Sequence, residues 1–169
     1  MSDVETRSLI LDHPQVIQKI RRIAFEIFEN NFKEKSIILA GIDGQGYVLA
    51  KMLGAVIEEI APIKTELVKV FLNKEDPTQG SIGLDTESKT ARKKVIILVD
   101  DVLNSGRTLA YGMKPFLEVE IKKIEVAVLV NRSHPKFPIQ PTYTGYELAT
   151  TLSDHVVVTL GKKSSVYLK

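Results

Sequence analysis

Residues 95–108 read VIILVDDVLNSGRT, and this stretch decides the fold. Five apolar residues run directly into the paired acids Asp100 and Asp101, a loop of small and polar residues follows, and Arg107-Thr108 begins a helix. Carboxylates are rarely buried without partners, whereas open α/β sheets bind ligands at the carboxyl ends of their strands. The acids suit hydroxyl groups or a metal ion, and the turn amides with the helix start suit a phosphate. The stretch therefore predicts a site for a sugar phosphate.

Two other interpretations of the same stretch remain open. An apolar strand that ends in an acidic turn is common in α/β proteins, because Asp, Asn, Ser and Gly are ordinary turn residues. Doubled acids at a strand end also suit a phosphoacceptor domain that depends on Mg²⁺. Such a domain needs a conjugate lysine near the end of a later strand, and the apolar run 124–130 ends in Asn131-Arg132 instead. This difference disfavours the phosphoacceptor.

Length and composition bound the class of protein. The chain has 169 residues and a mass of 18.9 kDa, which predicts a single domain, residues 1–169, with a full hydrophobic core. A formal net charge of +2 does not require a polyanionic partner, and the absence of cysteine excludes disulfides and thiolate metal sites. No apolar run approaches the roughly 18 residues needed to span a bilayer, and the N-terminus does not resemble a signal peptide. We expect a cytoplasmic protein with no membrane partner.

Hydrophobic patterning predicts alternating strands and helices. Asp12 and Gln15 form a capping box at the start of a helix that reaches about Asn30. Pro115 is expected to bend or shorten the helix that begins at Arg107. Strands are predicted at 36–40, 65–72, 95–99, 124–130 and 155–160, and a second helix is predicted from Gly44. This alternation indicates an α/β fold with a mostly parallel, five-stranded sheet covered by helices on both faces.

The extended stretch VIILVDDVLNSGRTL resembles the phosphoribosyl pyrophosphate (PRPP) signature of type I phosphoribosyltransferases. Flanking residues resemble the uracil phosphoribosyltransferase and pyrimidine operon regulator family, from about residue 9 to about residue 160. They are Ile10-Leu11-Asp12, Arg22-Ile23-Ala24, Gly41-Ile42, Ala127-Val128-Leu129-Val130, Arg132, His134, Pro138-Ile139 and Tyr143. The resemblance implies the type I phosphoribosyltransferase fold with a small C-terminal hood, about residues 131–160, and a homodimer. It also implies transfer of the phosphoribosyl group from PRPP to uracil or another 6-oxo base, with Mg²⁺ and release of pyrophosphate.

The same resemblance assigns the site residues. Asp100 and Asp101 are the expected catalytic pair, which orients the ribose hydroxyls and stabilises the positive charge that develops on the ribose, with Mg²⁺ nearby on PRPP. Arg132 is expected to contact the base or the pyrophosphate. The predicted PRPP-binding residues are Val99, Asp100, Asp101, Val102, Leu103, Asn104, Ser105, Gly106, Arg107 and Thr108.

The glycine-rich turn at residues 41–46 follows the first strand of the predicted parallel sheet, and its sequence departs from the family pattern. The resemblance places the pyrophosphate at Asp43, Gly44 and Gln45, but this loop usually carries a lysine and an arginine, and here it has neither. Asp43 would repel pyrophosphate unless Mg²⁺ lies between them. A plain glycine-rich turn remains an alternative. A dinucleotide fingerprint, with Glu66 for the ribose, is another, although it leaves residues 100–108 unexplained.

The polar stretch 73–94 lacks periodicity, and the resemblance makes it a flexible lid that closes over PRPP. A mobile surface loop without a catalytic role is the alternative.

The regulator branch of the family binds RNA, and Lys19, Arg21 and Arg22 give the first helix a basic face near Phe25. A PRPP- or nucleotide-sensing RNA-binding attenuator with little turnover is therefore the alternative function.

Overall fold

Two sheets and three α-helices form the fold of the residues that the structure describes. The computed structural model describes residues 7–151 and 153–169. The elements in chain order are β1 (Ser8–Leu11), α1 (His13–Asn31), β2 (Ser36–Ile42), α2 (Gln45–Ile60), β3 (Lys64–Phe71), β4 (Gly83–Leu84), β5 (Val95–Leu103), α3 (Arg107–Gly112), β6 (Lys123–Asn131), β7 (Tyr143–Glu147), β8 (Val156–Thr159) and β9 (Ser165–Leu168). No helix of the described residues is long and apolar enough to cross a bilayer.

The main sheet has the strand order β4-β3-β2-β5-β6-β7. Strands β3, β2, β5, β6 and β7 are parallel, and β4 adds a two-residue antiparallel pairing at the end of β3. The predicted mostly parallel α/β sheet is therefore confirmed, with one short strand more than expected. Its fifth parallel strand is β7 rather than the predicted strand at 155–160.

Helices cover both faces of this sheet, as predicted. The side chains of Ile97 and Val99 on β5 pack with α1 and α2, whereas those of Ile96 and Leu98 pack with α3 on the other face. This alternation follows from the two-residue period of a strand. Because both faces are buried, the central strands are almost continuously apolar.

The capping box at the start of α1 is confirmed, because Asp12 and Gln15 each accept a hydrogen bond from the other's backbone amide. The effect of Pro115 is confirmed as well. The α-helical hydrogen-bond pattern of α3 ends at Gly112, and Pro115 lies in a separate 3-10 turn, Lys114–Glu118. Proline lacks the amide that would continue the helix.

The small sheet corrects the predicted hood at about residues 131–160. Its order is β1-β9-β8, so it combines the first strand of the chain with the last two, and β7 belongs to the main sheet instead. Pairing of Ser8 with Leu168 joins residues at opposite ends of the sequence, which local patterning does not reveal. Hydrogen bonds to the first residues of α2 and α1 help to hold this part of the chain: the Leu160 amide donates to Gln45 Oε1 at 2.9 Å, and the Ser164 amide donates to His13 Nδ1 at 2.9 Å.

The candidate lid at 73–94 contains regular structure. Besides β4 it includes a 3-10 turn, Ser88–Ala91, and the side chain of Pro77 is buried. A cavity of about 400 Å³ separates residues 77–82 from residues 111–118. Part of the segment thus lies beside α3 and the 3-10 turn after it, and its closing over a ligand stays a prediction.

Candidate active site

The carboxyl ends of β2 and β5 bring the two predicted loops together. These strands are parallel neighbours, with Gly41 opposite Val99, so the turn after β2 and the acidic stretch of β5 lie at one edge of the sheet. The start of α2 packs directly on the acids. A Cβ placed on Gly46 would lie 2.9 Å from both Asp100 Oδ1 and the Val99 carbonyl oxygen. Only glycine allows this close approach.

The paired acids lie within β5, which runs to Leu103 rather than ending at Val99 as predicted. Asp100 is 4% exposed, and its Oδ1 accepts a hydrogen bond from the Asp101 amide at 2.9 Å. Lys74 Nζ, from the start of the candidate lid, lies 3.6 Å from the same oxygen. Burial and then the adjacent charge of Asp101 raise the pKa of the Asp100 carboxyl well above its usual range, and Lys74 only partly opposes them.

The cradle, residues 104–108, follows the acids as a tight turn. Gly106 has a φ of +87°, a conformation that favours glycine, and a Cβ there would lie 3.2 Å from the side chain of Ile139. The carbonyl of Ser105 accepts hydrogen bonds from the amides of Lys136 and Phe137 at 2.8 and 3.0 Å. The loop after β6 therefore stabilises the cradle through backbone hydrogen bonds.

A polar cavity of about 220 Å³ opens between the acids and the cradle. It is lined by Lys74, Asp100 and residues 102–109. The first turn of α3 contributes amides without intrahelical acceptors, which can bind an anion. The predicted PRPP-binding residues thus surround one cavity, apart from Val99, whose side chain lies in the core, and Asp101, which is half-buried beside it.

The side chain of Arg107 also contacts the candidate lid. Its Nη2 donates to the backbone carbonyls of Lys74 and Glu75 at 3.2 and 2.8 Å. The side chain therefore links the cradle to the start of the candidate lid.

The predicted pyrophosphate turn lies at the same edge. Gly44 has a φ of +100°, and the Asp43 amide donates to the Val70 carbonyl at 2.9 Å. Gln45 uses its side chain to hold Leu160, as described above. Lys69 Nζ lies 4.0 Å from Asp43 Oδ1, so the repulsive charge noted in this turn has a cation from β3 beside it.

Arg132 is buried at the end of β6, with 8% exposure. Its guanidinium donates to Asn104 Oδ1 at 2.8 Å, to Thr150 Oγ1 at 3.0 Å, and to the carbonyls of Thr151 and Asp154 at 3.1 and 2.5 Å. The Thr151 amide and hydroxyl, with a smaller contribution from Arg132, lower the pKa of the Asp154 carboxyl. The expected contact of Arg132 with the base stays a prediction.

Comparison with known proteins agrees with this geometry. The phosphoribosyl transferase domain family matches residues 6–161.

The chain belongs to the phosphoribosyltransferase family.

It is 34% identical over 168 residues to the bifunctional protein PyrR of Bacillus pumilus, covering 94% of this chain and 93% of that protein. It is 35% identical over 164 residues to the bifunctional protein PyrR of Bacillus subtilis, covering 91% and 90%. The recognition made from the PRPP signature is therefore confirmed, and the protein is an enzyme of the phosphoribosyltransferase class.

Solved structures share the phosphoribosyltransferase fold. A hypoxanthine-guanine phosphoribosyltransferase from Bacillus anthracis has a TM-score of 0.69 at 18% identity and covers 86% of each chain. The hypoxanthine phosphoribosyltransferase of Trypanosoma cruzi has a TM-score of 0.72 at 11% identity and covers 83% of this chain and 81% of that one.

The alternative of a dinucleotide site has no support in the geometry. Glu66 lies in register with Ile38, near the amino end of β3, and pairs with Lys94 at 2.6 Å.

Two lysines of the site in this phosphoribosyltransferase had little signal in the sequence. Lys69 lies within a predicted strand, and Lys74 lies in the aperiodic stretch 73–94. Their proximity to Asp43 and Asp100 depends on the pairing of β3 with β2, in which Lys69 lies opposite Gly41. Alternation along β3 could have suggested Lys69, because apolar residues flank it on both sides.

Proposed function

We propose that this phosphoribosyltransferase transfers the 5-phosphoribosyl group from PRPP to a nucleobase nitrogen, on uracil or another 6-oxo base, and releases pyrophosphate. One observation carries the proposal. A buried carboxylate, a tight anion-binding turn and a lysine share one polar cavity at the carboxyl edge of the sheet. This arrangement suits a molecule that has both hydroxyls and phosphates. The relatives named bifunctional protein PyrR support the choice of branch.

The reaction needs charge stabilisation and positioning rather than a nucleophile on the protein. As pyrophosphate leaves, the ribose acquires positive charge, which Asp100 and Asp101 are placed to stabilise. The cradle holds the 5′-phosphate, so that the ribose carbon faces the incoming base nitrogen. Lys74 lies beside Asp100 and Lys69 beside Asp43, and both cations would counter the negative charge of the leaving pyrophosphate. Lys69 offsets Asp43, which supports pyrophosphate binding despite the missing basic residues of that turn.

The donor set at the acids fits Mg²⁺ that arrives with PRPP. No group of three or more His, Cys, Asp or Glu side chains suited to a metal ion occurs among residues 7–151 and 153–169. Mg²⁺ commonly binds through one or two carboxylates together with substrate phosphates rather than in a cage made only of protein. Asp100 and Asp101 would hold it there, and it would neutralise the leaving pyrophosphate.

The decisive experiment offers uracil, guanine, hypoxanthine and xanthine with PRPP and Mg²⁺ and measures pyrophosphate release. We expect turnover with a 6-oxo base, uracil foremost. Asp101→Asn should reduce turnover at least about a hundredfold, with a melting temperature near that of the unaltered protein. Glu87→Gln, an exposed position that pairs with Lys89, is the matched control and should not change turnover. Unchanged turnover in the Asp101 variant would refute the assigned role.

A second candidate is a PRPP- or nucleotide-sensing RNA-binding attenuator. Phe25 is 44% exposed on α1 and lies one turn from Arg21, which makes an ion pair with Glu59 at 3.8 Å. Arg22 donates to the Gly145 carbonyl at 3.0 Å, so part of the basic face already has intramolecular partners. If the protein bound RNA hairpins regardless of their sequence and lost this binding at moderate salt, this candidate would be excluded.

A homodimer completes the proposal. Leu67 and Phe71, 39% and 41% exposed, lie on β3, whose outer edge pairs with the two-residue strand β4 at residues 70 and 71. Analytical ultracentrifugation tests this assembly.

A further inference from the structure

Arg132 carries a buried positive charge that the proposed reaction does not use directly. It lies at the end of β6, where its amide donates to the Leu103 carbonyl at 3.0 Å. None of the ion pairs within 4.0 Å among the described residues involves it. Burial of a charge without a close ion pair is costly. The Asp154 carboxylate attracts this charge from a greater distance, and hydrogen bonds to neutral groups must supply the remaining stabilisation.

Those neutral groups come from two separate parts of the fold. Nε and Nη2 donate to Thr150, Thr151 and Asp154 in the loop after β7, whereas Nη1 donates to Asn104 in the cradle. The bonds use four of the five N–H groups that an arginine offers. The planar guanidinium is therefore held rigidly, and a lysine could not reproduce the set.

This contact determines which way the amide of Asn104 faces. Because a guanidinium only donates hydrogen bonds, the Asn104 atom beside it must be the oxygen. The side-chain nitrogen of Asn104 then faces away from Arg132. Asn104 is exposed and lines both the 220 Å³ cavity of the cradle and an adjoining cavity of about 390 Å³.

We infer that Arg132 is a positioning residue for phosphoribosyl transfer, which fixes Asn104 so that its N–H groups face the substrate cavities. The buried charge behind the amide polarises it, and a polarised amide is a stronger donor to an anionic or carbonyl oxygen. The group recognised is an oxygen of the bound phosphoribosyl compound. The inference rests on the proposed function, since it names how that site orients its substrate.

A double-mutant cycle on PRPP binding tests this role. Isothermal titration of PRPP with Mg²⁺ is carried out on the full chain and on Arg132→Lys, Asn104→Ala and the double variant. Each single change should weaken binding about tenfold or more, the effect of losing one charge-assisted hydrogen bond. The double variant should bind no more than about twofold more weakly than the weaker single variant, because both changes remove one interaction.

Thr108→Ala is the matched control, since Thr108 belongs to the same cradle but is not among the groups that Arg132 contacts. Its effect should multiply with that of Arg132→Lys. Independent effects of the Arg132 and Asn104 changes, or unchanged affinity in Arg132→Lys, would overturn the inference while leaving the proposed function intact. Absence of PRPP binding by the unaltered protein would overturn both.

A second variant keeps the test valid if Arg132→Lys does not fold. Asn104→Asp retains an oxygen facing Arg132 and removes the N–H donors. It should melt at or above the temperature of the unaltered protein and bind PRPP at least about tenfold more weakly. Unaltered affinity in this variant would also overturn the inference.

Discussion

Gly46→Ala tests whether the start of α2 positions Asp100, the carboxylate that we propose to be catalytic. The new Cβ would lie 2.9 Å from Asp100 Oδ1, 2.9 Å from the Val99 carbonyl oxygen and 3.1 Å from the Asp100 Cα. Two of these atoms belong to the backbone of the central strand, which has buried neighbours on both faces. Because movement of the carboxylate alone would not relieve the contacts with this backbone, either α2 or β5 must shift, and Asp100 would shift relative to the cavity.

The free energy of unfolding should change less than the activity. Overpacking of this kind costs about 1–3 kcal/mol. Alanine is the better helix former by about 1 kcal/mol, so the net destabilisation should be about 0–2 kcal/mol. Misplacement of a catalytic group by up to an ångström reduces turnover by about tenfold to a hundredfold. We therefore expect a folded variant with a pronounced loss of pyrophosphate release.

Gly54→Ala in the same helix is the matched control. Its Cβ would meet only side-chain atoms, Thr65 Oγ1 at 3.1 Å and Leu39 Cδ1 at 3.3 Å, which can move. Its unfolding free energy should stay within about 1 kcal/mol of the unaltered protein, with full turnover. Chemical denaturation and pyrophosphate release measure both quantities. Full turnover in Gly46→Ala would show that contact with α2 does not position Asp100.

Two further changes separate stability from activity. Burial and Asp101 raise the pKa of Asp100, so its ionised form destabilises the fold. Asp100→Asn should therefore raise the unfolding free energy at pH 7 while turnover is lost, and this gain in stability should shrink as the pH falls towards about 4. If chemical denaturation showed no gain at either pH, the electrostatic argument would be contradicted. Tyr143→Phe removes a hydroxyl bonded to Asn31 and Glu125 and should cost about 1–3 kcal/mol by the same assay; a loss of turnover would contradict its purely structural role.

Local sequence patterns were sufficient to predict the central part of the fold. The apolar run of β5 and the similar run of β6 are buried on both faces, so their hydrophobicity alone indicates parallel strands. Because parallel strands end at one edge, Asp100 and the turn after β2 could be expected to meet. The predicted boundaries were short by a few residues where polar side chains continue a strand, as in β5.

The small sheet could not be predicted in the same way. Strands β1, β8 and β9 have four residues each, and β1 pairs with a strand at the other end of the chain. Such short segments carry little periodicity, and their pairing depends on packing against α1 and α2 rather than on local preference. The predicted hood was wrong in its boundaries for this reason.

The charges around the candidate active site could also be predicted only in part from the sequence. The turn at 41–46 lacks basic residues, and sequence alone left Asp43 as a repulsive charge near pyrophosphate. The fold brings cations from other elements: Lys69 from β3 beside Asp43, Lys74 from the segment after β3 beside Asp100, and Arg132 from the end of β6 beside Asn104. Electrostatic interaction depends on distance and burial, not on position in the chain. A loop that lacks its usual basic residues can therefore still lie in a site with positive charge, because other elements supply the basic side chains. The register of the neighbouring strands determines whether those side chains reach the loop.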